Sequence, residues 1–533
     1  MRKQLLAGTA CATLCVIAFQ TSTHAATLDD VMKRLDKLER ENADLRAKIN
    51  HKTVVQRDKS GKPIVESSVV THAKPAPSPG PVAQRTIFGM PVKAGAFGPL
   101  VDNTTVQLYG HFDLSGDLLN STVYDQGTKL AIGSNLSYFG FRVRHNLSPY
   151  GYDGWAVVAQ MEAQIDVAAA PNERAALGSR DSYVGLEGPW GAIKAGKTQT
   201  PYKLATSAMD PFSGTLGDYN SIMGNTGGDN RAEFDWRMNH SVWYESPIWN
   251  GFQMSALFSP GQNYAKDNSD FSYGDYSQCN GASTRGSGSN FPTIALGDRG
   301  CNDGSFGNAY SAALKYKNGG FTAIAAYELH ENTNRQGDDN TGVANAGAPP
   351  IVLPDGSIVS TGIHNEWAAK VGGGYRFNTG PGDLQLNAVY EWIRRDVTPA
   401  QQPFNERSKD DVFVSATQYF GKWAISGSYT HAFKTPGNPA LLSVNVAGLA
   451  DTPSVQANLY SDAANQYAIG ARYRFNNWAS WYVVASELTQ GKGGHYCLGP
   501  SGHAYALCGR DANNNVIGGA TLKAATTGLT FDF

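Results

Sequence analysis

The feature that most constrains the fold is a period of two that persists from residue 105 to the end, broken at intervals alternating between short and long. Val106, Leu108, Gly110, Phe112, Leu114 and Leu118 alternate with Gln107, Tyr109, His111, Asp113, Ser115 and Asp117. Trp155, Val157, Ala159, Met161, Ala163, Ile165 and Val167 do the same against Gln160, Glu162, Gln164 and Asp166. This pattern gives each strand one apolar and one polar face. Sixteen such runs lie near 105–119, 135–147, 154–167, 179–188, 191–197, 239–246, 250–258, 308–317, 320–329, 366–377, 382–393, 410–420, 422–433, 464–475, 480–489 and 521–533. Soluble sandwiches alternate as well, so the breaks decide. Short ones (Ser148–Asp153, Pro189-Trp190, Pro247–Trp249, Asn318-Gly319, Asn378–Pro381, Gly421, Asn476–Ala479) alternate with long ones that include 198–238, 259–307, 330–365, 434–463 and 490–520. Short turns at one end, long loops at the other and an even strand number mark an all-β, 16-stranded antiparallel transmembrane β-barrel. Sixteen strands leave room for an aqueous lumen.

The rest of the composition fits. Alternation hides lipid-facing hydrophobicity, so a mean hydropathy of −0.34 is no argument against membrane residence. Lys+Arg is 44 and Asp+Glu is 46, which gives no electrostatic case for nucleic acid. The 25 Tyr and 59 Gly suit a sheet protein rich in turns.

Residues 1–25 read as a secretory signal peptide. Arg2 and Lys3 precede the apolar stretch from Leu5 to Phe19, and Thr23 and Ala25 place small residues before a cut at Ala26. Residues 26–50 carry a heptad. Leu28, Val31, Leu35, Leu38, Asn42, Leu45 and Ile49 take alternate a and d positions, with charged residues between them, and Asn42 sets register. A short periplasmic α-helical coiled coil is expected there; the other reading is an amphipathic helix lying on its own domain. Residues 51–104 form a linker, Pro-rich over Lys74–Pro81. Residues 105–533 form the barrel.

Four cysteines remain after the signal. Cys279 and Cys301 share one long loop, and Cys497 and Cys508 share another. The export route is oxidising, so a disulfide within each loop is the natural reading. Metal is the rival, but the spacings lack a C-x₂-C pair.

At this point the chain resembles the general porins of Gram-negative bacteria, above all the trimeric proteobacterial type. The likeness runs from about Val106 to Phe533. It rests on Leu108-Tyr109-Gly110, on Tyr138-Phe139-Gly140-Phe141-Arg142, on Ser182–Gly188, on Asn239–Pro247 and on the terminal Phe533. The resemblance implies a homotrimer in outer-membrane lipid and passive diffusion of small hydrophilic solutes and ions. It also implies a third outer loop, 198–238, folded into the lumen, with acidic residues facing basic ones at a constriction. The arm is no part of the common pattern; it is expected to aid assembly or to reach the cell wall.

The loop holds Asp210, Asp218, Asp229, Glu233 and Asp235. Carboxylates at a constriction favour cations, and Asp210 and Asp218, mid-loop beside Pro211, Phe212 and Tyr219, are the expected pair. Arg142 and Arg144 share the lumen face if Phe139, Phe141 and Val143 face lipid. Lys197 occupies the place of the family's strand-end Arg, and Arg237 is a further expected wall cation. Tyr138 and Trp243 stand where the family commonly carries charge, which weakens anion selectivity and introduces aromatic rings.

No G-x-S-x-G, H-E-x-x-H or P-loop occurs, and no cofactor or metal site is expected. The other readings are a channel selective for sugars or carboxylates, an outer-membrane hydrolase with a Ser/His pair, and a structural tether.

Overall fold

The computed structural model describes residues 90–93, 103–122, 127–168, 177–225, 234–260, 306–334, 363–396, 408–436, 461–499, 503, 507–509 and 518–533. The expected signal peptide, the expected coiled coil and most of the expected linker fall outside these residues, as do Cys279, Cys301, Asp229 and Glu233.

Among the described residues eighteen strands run in chain order: β1 (Met90–Lys93), β2 (Thr104–Ser121), β3 (Thr128–Ser134), β4 (Tyr138–Asn146), β5 (Ala156–Gln164), β6 (Ser182–Gly188), β7 (Gly191–Gln199), β8 (Arg237–Glu245), β9 (Phe252–Ser259), β10 (Ala309–Asn318), β11 (Phe321–Asn334), β12 (Ile363–Asn378), β13 (Asp383–Arg395), β14 (Lys409–Phe420), β15 (Trp423–Ala432), β16 (Ala464–Arg474), β17 (Ala479–Gln490) and β18 (Leu522–Asp532). β3 and β4 are two halves of one stave, for both lie along β2. Each later strand pairs antiparallel with the next, and β18 returns to β2, so sixteen staves close a barrel. This is the expected number. The second run starts seven residues earlier than its apolar pattern indicates, because Thr128–Ser134 already pairs with Leu114–Asn120. Between the halves Leu136 adopts φ 47°, a left-handed conformation unusual for a branched side chain.

The alternation works as the pleat requires. Leu114, Leu118, Val184, Ile193, Val242 and Ile469 are exposed on the outer face, as lipid contact demands. Asp113, Asp117, Gln160, Glu162, Glu391 and Asp411 are buried on the inner one. Aromatic contacts gather at both ends of the staves. Trp155–Trp190–Tyr244 and Trp423–Tyr473 lie near the short turns. Tyr327–Trp367, Tyr390–Trp392 and Tyr429–Tyr467 lie near the long loops. These are the two interfacial girdles of a membrane barrel.

The seam is made by the last residue. Phe533 and Gly110 exchange two backbone hydrogen bonds, at 2.9 and 3.1 Å. A Cβ on Gly110 would meet the Phe533 ring at 2.4 Å and the Tyr138 carbonyl at 3.1 Å, so a larger residue there would have to push that ring aside. On β2 below this point, β1 takes up the pairing from Met90 opposite Leu108 to Lys93 opposite Thr105. The expected linker therefore contains a strand.

Candidate functional site: the lumen and its third loop

The segment between β7 and β8 lies against the inner wall. Thr200 caps a six-residue helix, α1 (Pro201–Thr206): its hydroxyl accepts from the Lys203 N–H at 3.2 Å, and Pro201 takes the first turn. Tyr202, Ala205, Met209, Tyr219, Met223 and Phe234 then pack on Ala313, Ile324, Ala326, Ala368, Val389, Ile393 and Phe413 of β10 to β14. Phe212 packs on Ala468, Tyr482 and Val484 of β16 and β17. A Cβ on Gly214 would lie 2.9 Å from Cδ1 of Leu136, so the loop also reaches the break between β3 and β4.

Wall side chains satisfy the loop backbone, which inside a barrel has few other partners. Ser415 and Asn387 donate to the Met209 carbonyl at 2.8 and 3.1 Å, and Ser486 to that of Leu216 at 2.9 Å. Gln466 donates to Asp218 O at 3.0 Å and Lys409 to Ile222 O at 2.6 Å. Glu391 accepts from the Tyr202 hydroxyl and from the Gly224 N–H. The strongest tie is ionic. Lys370 Nζ lies 2.8 Å from Asp235 Oδ1, both fully buried, and the Tyr219 hydroxyl and Asn220 amide donate to Oδ2 at 2.8 and 2.7 Å.

Asp210 and Asp218 do not face the lumen. They are 7 % and 3 % exposed, and both fold the loop upon itself. Asp210 accepts from the N–H groups of Phe212 and Tyr219, at 2.9 and 3.2 Å. Asp218 accepts from those of Gly214 and Asn220, at 2.9 and 2.8 Å. Burial raises the pKa of each carboxyl, and the Asp218 charge raises Asp210 further. With Asp235 held by Lys370, every described carboxylate of this loop is turned away from water. The less buried side of the loop is Lys203, Leu204, Ser207, Ala208, Pro211 and Ser213, a face without negative charge.

The wall of β2 and β4 to β8 is a staircase of cations. Near the short turns Arg144, about half exposed, pairs with Glu187, and Lys194 pairs with Glu245 at 3.0 Å. Arg142 comes next; its Nε donates to the neutral Gln160 at 2.7 Å and its guanidinium lies 4.1 Å over the Tyr109 ring. Higher up, Arg180 pairs with Glu162 and lies 4.5 Å over Tyr138. At the foot of the loop Arg237 holds Asp181 at 3.0 Å. Burial pulls the Lys203 pKa down to about 8; Asp235 opposes this, while Arg237 and Arg180 add to it. On β16, Arg472 donates to Ser480 at 3.1 Å and lies 5.2 Å over Tyr482. Arg142 and Arg472 form no ion pair among the described residues.

A closed sixteen-stave barrel with a charged inner wall and a loop laid into it invites comparison with known channels. A sequence profile described as Gram-negative porin matches residues 94–494. The chain belongs to the Gram-negative porin family. The major outer membrane protein P.IB of Neisseria sicca is 24 % identical over 399 residues, covering 74 % of this chain and 92 % of that protein. Protein P.IA of Neisseria meningitidis serogroup C is 26 % identical over 359 residues, 66 % of this chain and 80 % of that one. In fold it is similar to an anion-selective porin from Comamonas acidovorans, with a TM-score of 0.54 and 15 % identity over 81 % of this chain and all of the other. The protein is thus an outer-membrane porin, a channel for passive diffusion.

Lys197 of this porin falls on a different face from that expected. It pairs with Ser182 and shares the pleat of Ile193 and Ala195, whereas Lys194 shares that of Tyr183 and Trp243. Trp243 is buried on the inner wall, donating to Glu245 at 2.9 Å and meeting Tyr183 edge-on. Tyr138 is also interior, stacked on His111. Arg180, Lys194 and Arg472 were not among the expected wall residues. Alternation alone was the signal for Lys194 and Arg472, which stand between outward apolar neighbours. The expected disulfide between Cys497 and Cys508 is present. Ser115, Asp117 and His503 meet inside the barrel: the Ser115 hydroxyl donates to Asp117 at 3.1 Å and lies 3.5 Å from His503 Nε2, and all three side chains are buried.

Proposed function

We propose that this porin passes small anions, carboxylates and phosphates among them, in preference to cations, and that loop 200–236 forms its constriction. One observation carries the reading: among the described residues Arg142 and Arg472 stand on the inner wall outside any salt bridge, while Asp210 and Asp218 bind N–H groups of their own loop and Asp235 is held by Lys370. Wall cations that no loop carboxylate meets across a narrow lumen favour anions. The test is the reversal potential of the purified porin in a planar bilayer under a potassium chloride gradient, whose two ions move almost equally fast in water. Its sign should be that of chloride preference, fading in concentrated salt as screening shortens toward about 3 Å at 1 M. Potassium preference overturns the proposal.

The porin is further proposed to act as a trimer whose assembly the heptad of residues 28–49 supports. A chain lacking residues 26–50 should still form barrels, but its oligomer should dissociate in detergent at a lower temperature than the parent's. Identical dissociation removes the arm from assembly and leaves contact with the cell wall as its role.

A further inference from the structure

We infer that the described part of the eighth outer loop, Tyr496–Gly499 with Leu507 and Cys508, is a clamp that sets the position of the third and thereby the width of the pore. This rests on the third loop being the constriction. The far half of that loop carries Leu216 and Ile222, and both are buried in one cluster with Tyr496 and Leu498 of the eighth loop, packed also by Leu507. Two polar contacts join the same pair of loops. The Gly499 N–H donates to Ser221 Oγ at 3.3 Å. Lys409 donates to Ile222 O at 2.6 Å while its ammonium lies 4.8 Å over the Tyr496 ring, so one cation serves both loops.

The clamp is itself braced. Gln490 accepts from the Tyr496 N–H at 2.7 Å and donates to the Tyr496 carbonyl at 3.0 Å. Leu498 and Leu507 exchange two backbone bonds of 2.9 Å, and the Cys497–Cys508 disulfide closes the same turn. His503, between the two cysteines in sequence, reaches β2, with Nε2 3.3 Å from Asp117 Oδ2. Leu498 is therefore fixed from its own loop, from β17 and from β2. A disulfide that orders a turn pressed onto a constriction acts on permeation as well as on stability, because the apolar lid has lost the freedom to lift away.

The experiment compares single-channel currents of the parent with those of C497S/C508S and of L498S, each as the full trimer. Both variants should show a conductance raised on the order of twofold, with open-channel noise the parent lacks. Reducing the Cys497–Cys508 bond of the folded parent should give the same rise, and reoxidation should restore the quiet current. Should C497S/C508S fail to fold, L498S decides alone. Parental current in the foldable clamp variants, or raised current on reduction that reoxidation leaves unchanged, overturns the inference. The two readings separate against a variant that frees the third loop from the opposite wall: if that variant changes the current and the clamp variants do not, only the clamp falls. If neither changes it, the constriction falls too.

Discussion

Replacing Arg142 and Arg472 by Gln should move the reversal potential toward cation preference, lowering the anion-to-cation permeability ratio roughly fivefold or more. Two unit charges about 7 Å apart interact by roughly 2 kcal/mol at an effective dielectric near 20. Half of that retained after screening is about 1 kcal/mol, or about fivefold in a ratio. Both arginines also stack on tyrosine rings, so Lys variants serve as the control: they keep the charge and lose the planar stack, and should keep the selectivity. D210N and D218N should leave the reversal potential where it is, because those carboxylates bond to loop N–H groups and meet little water. A large shift from D210N, with none from the arginine pair, would mean that the loop acids set selectivity after all.

Asp235→Ala should loosen the third loop more than any other single change in it. The substitution strands Lys370, which is fully buried, without its counter-ion, and breaking one side of a buried pair costs about 3–5 kcal/mol. The Tyr219 hydroxyl and the Asn220 amide lose their acceptor as well. The expected result is faster protease cleavage within residues 205–225 of the folded trimer and a higher, noisier conductance. Removing both charges, as Asp235→Leu with Lys370→Met, should recover much of the loss, since well-packed apolar substitutes avoid the desolvation cost. If the single variant resists protease as the parent does, the ion pair does not hold the loop.

The barrel was legible because its physics is written at short range. A strand with lipid on one side and water on the other must alternate, and turns must be short where the periplasmic ends meet, so both strand number and direction show in the sequence. The loop was not legible in the same way, because an aspartate that caps its own backbone and one that faces a pore have the same chemistry. Still, there was a signal. Asp210 and Asp218 each sit two residues before an N–H they bind, the arrangement of an Asx turn or a 3₁₀ N-cap. Lys197 was chosen by likeness to relatives; counting the pleat from Ile193 selects Lys194 instead. The bulge that lets β8 meet β7 there lies at His240, at φ 48°, and no local pattern announced it.

The meeting of Phe533 with Gly110 has a consequence for how such a chain comes into being. The histidine of the first stave and the aspartate that binds it on the last, His111 and Asp532 at 2.6 Å, are 421 positions apart. Until the final residues arrive, β2 and the growing end of the sheet each present an unpaired edge, the kind of surface that recruits another chain. Contacts so distant along the polymer form slowly. A copy short of its last stave is therefore an open sheet with two exposed edges and not a smaller pore.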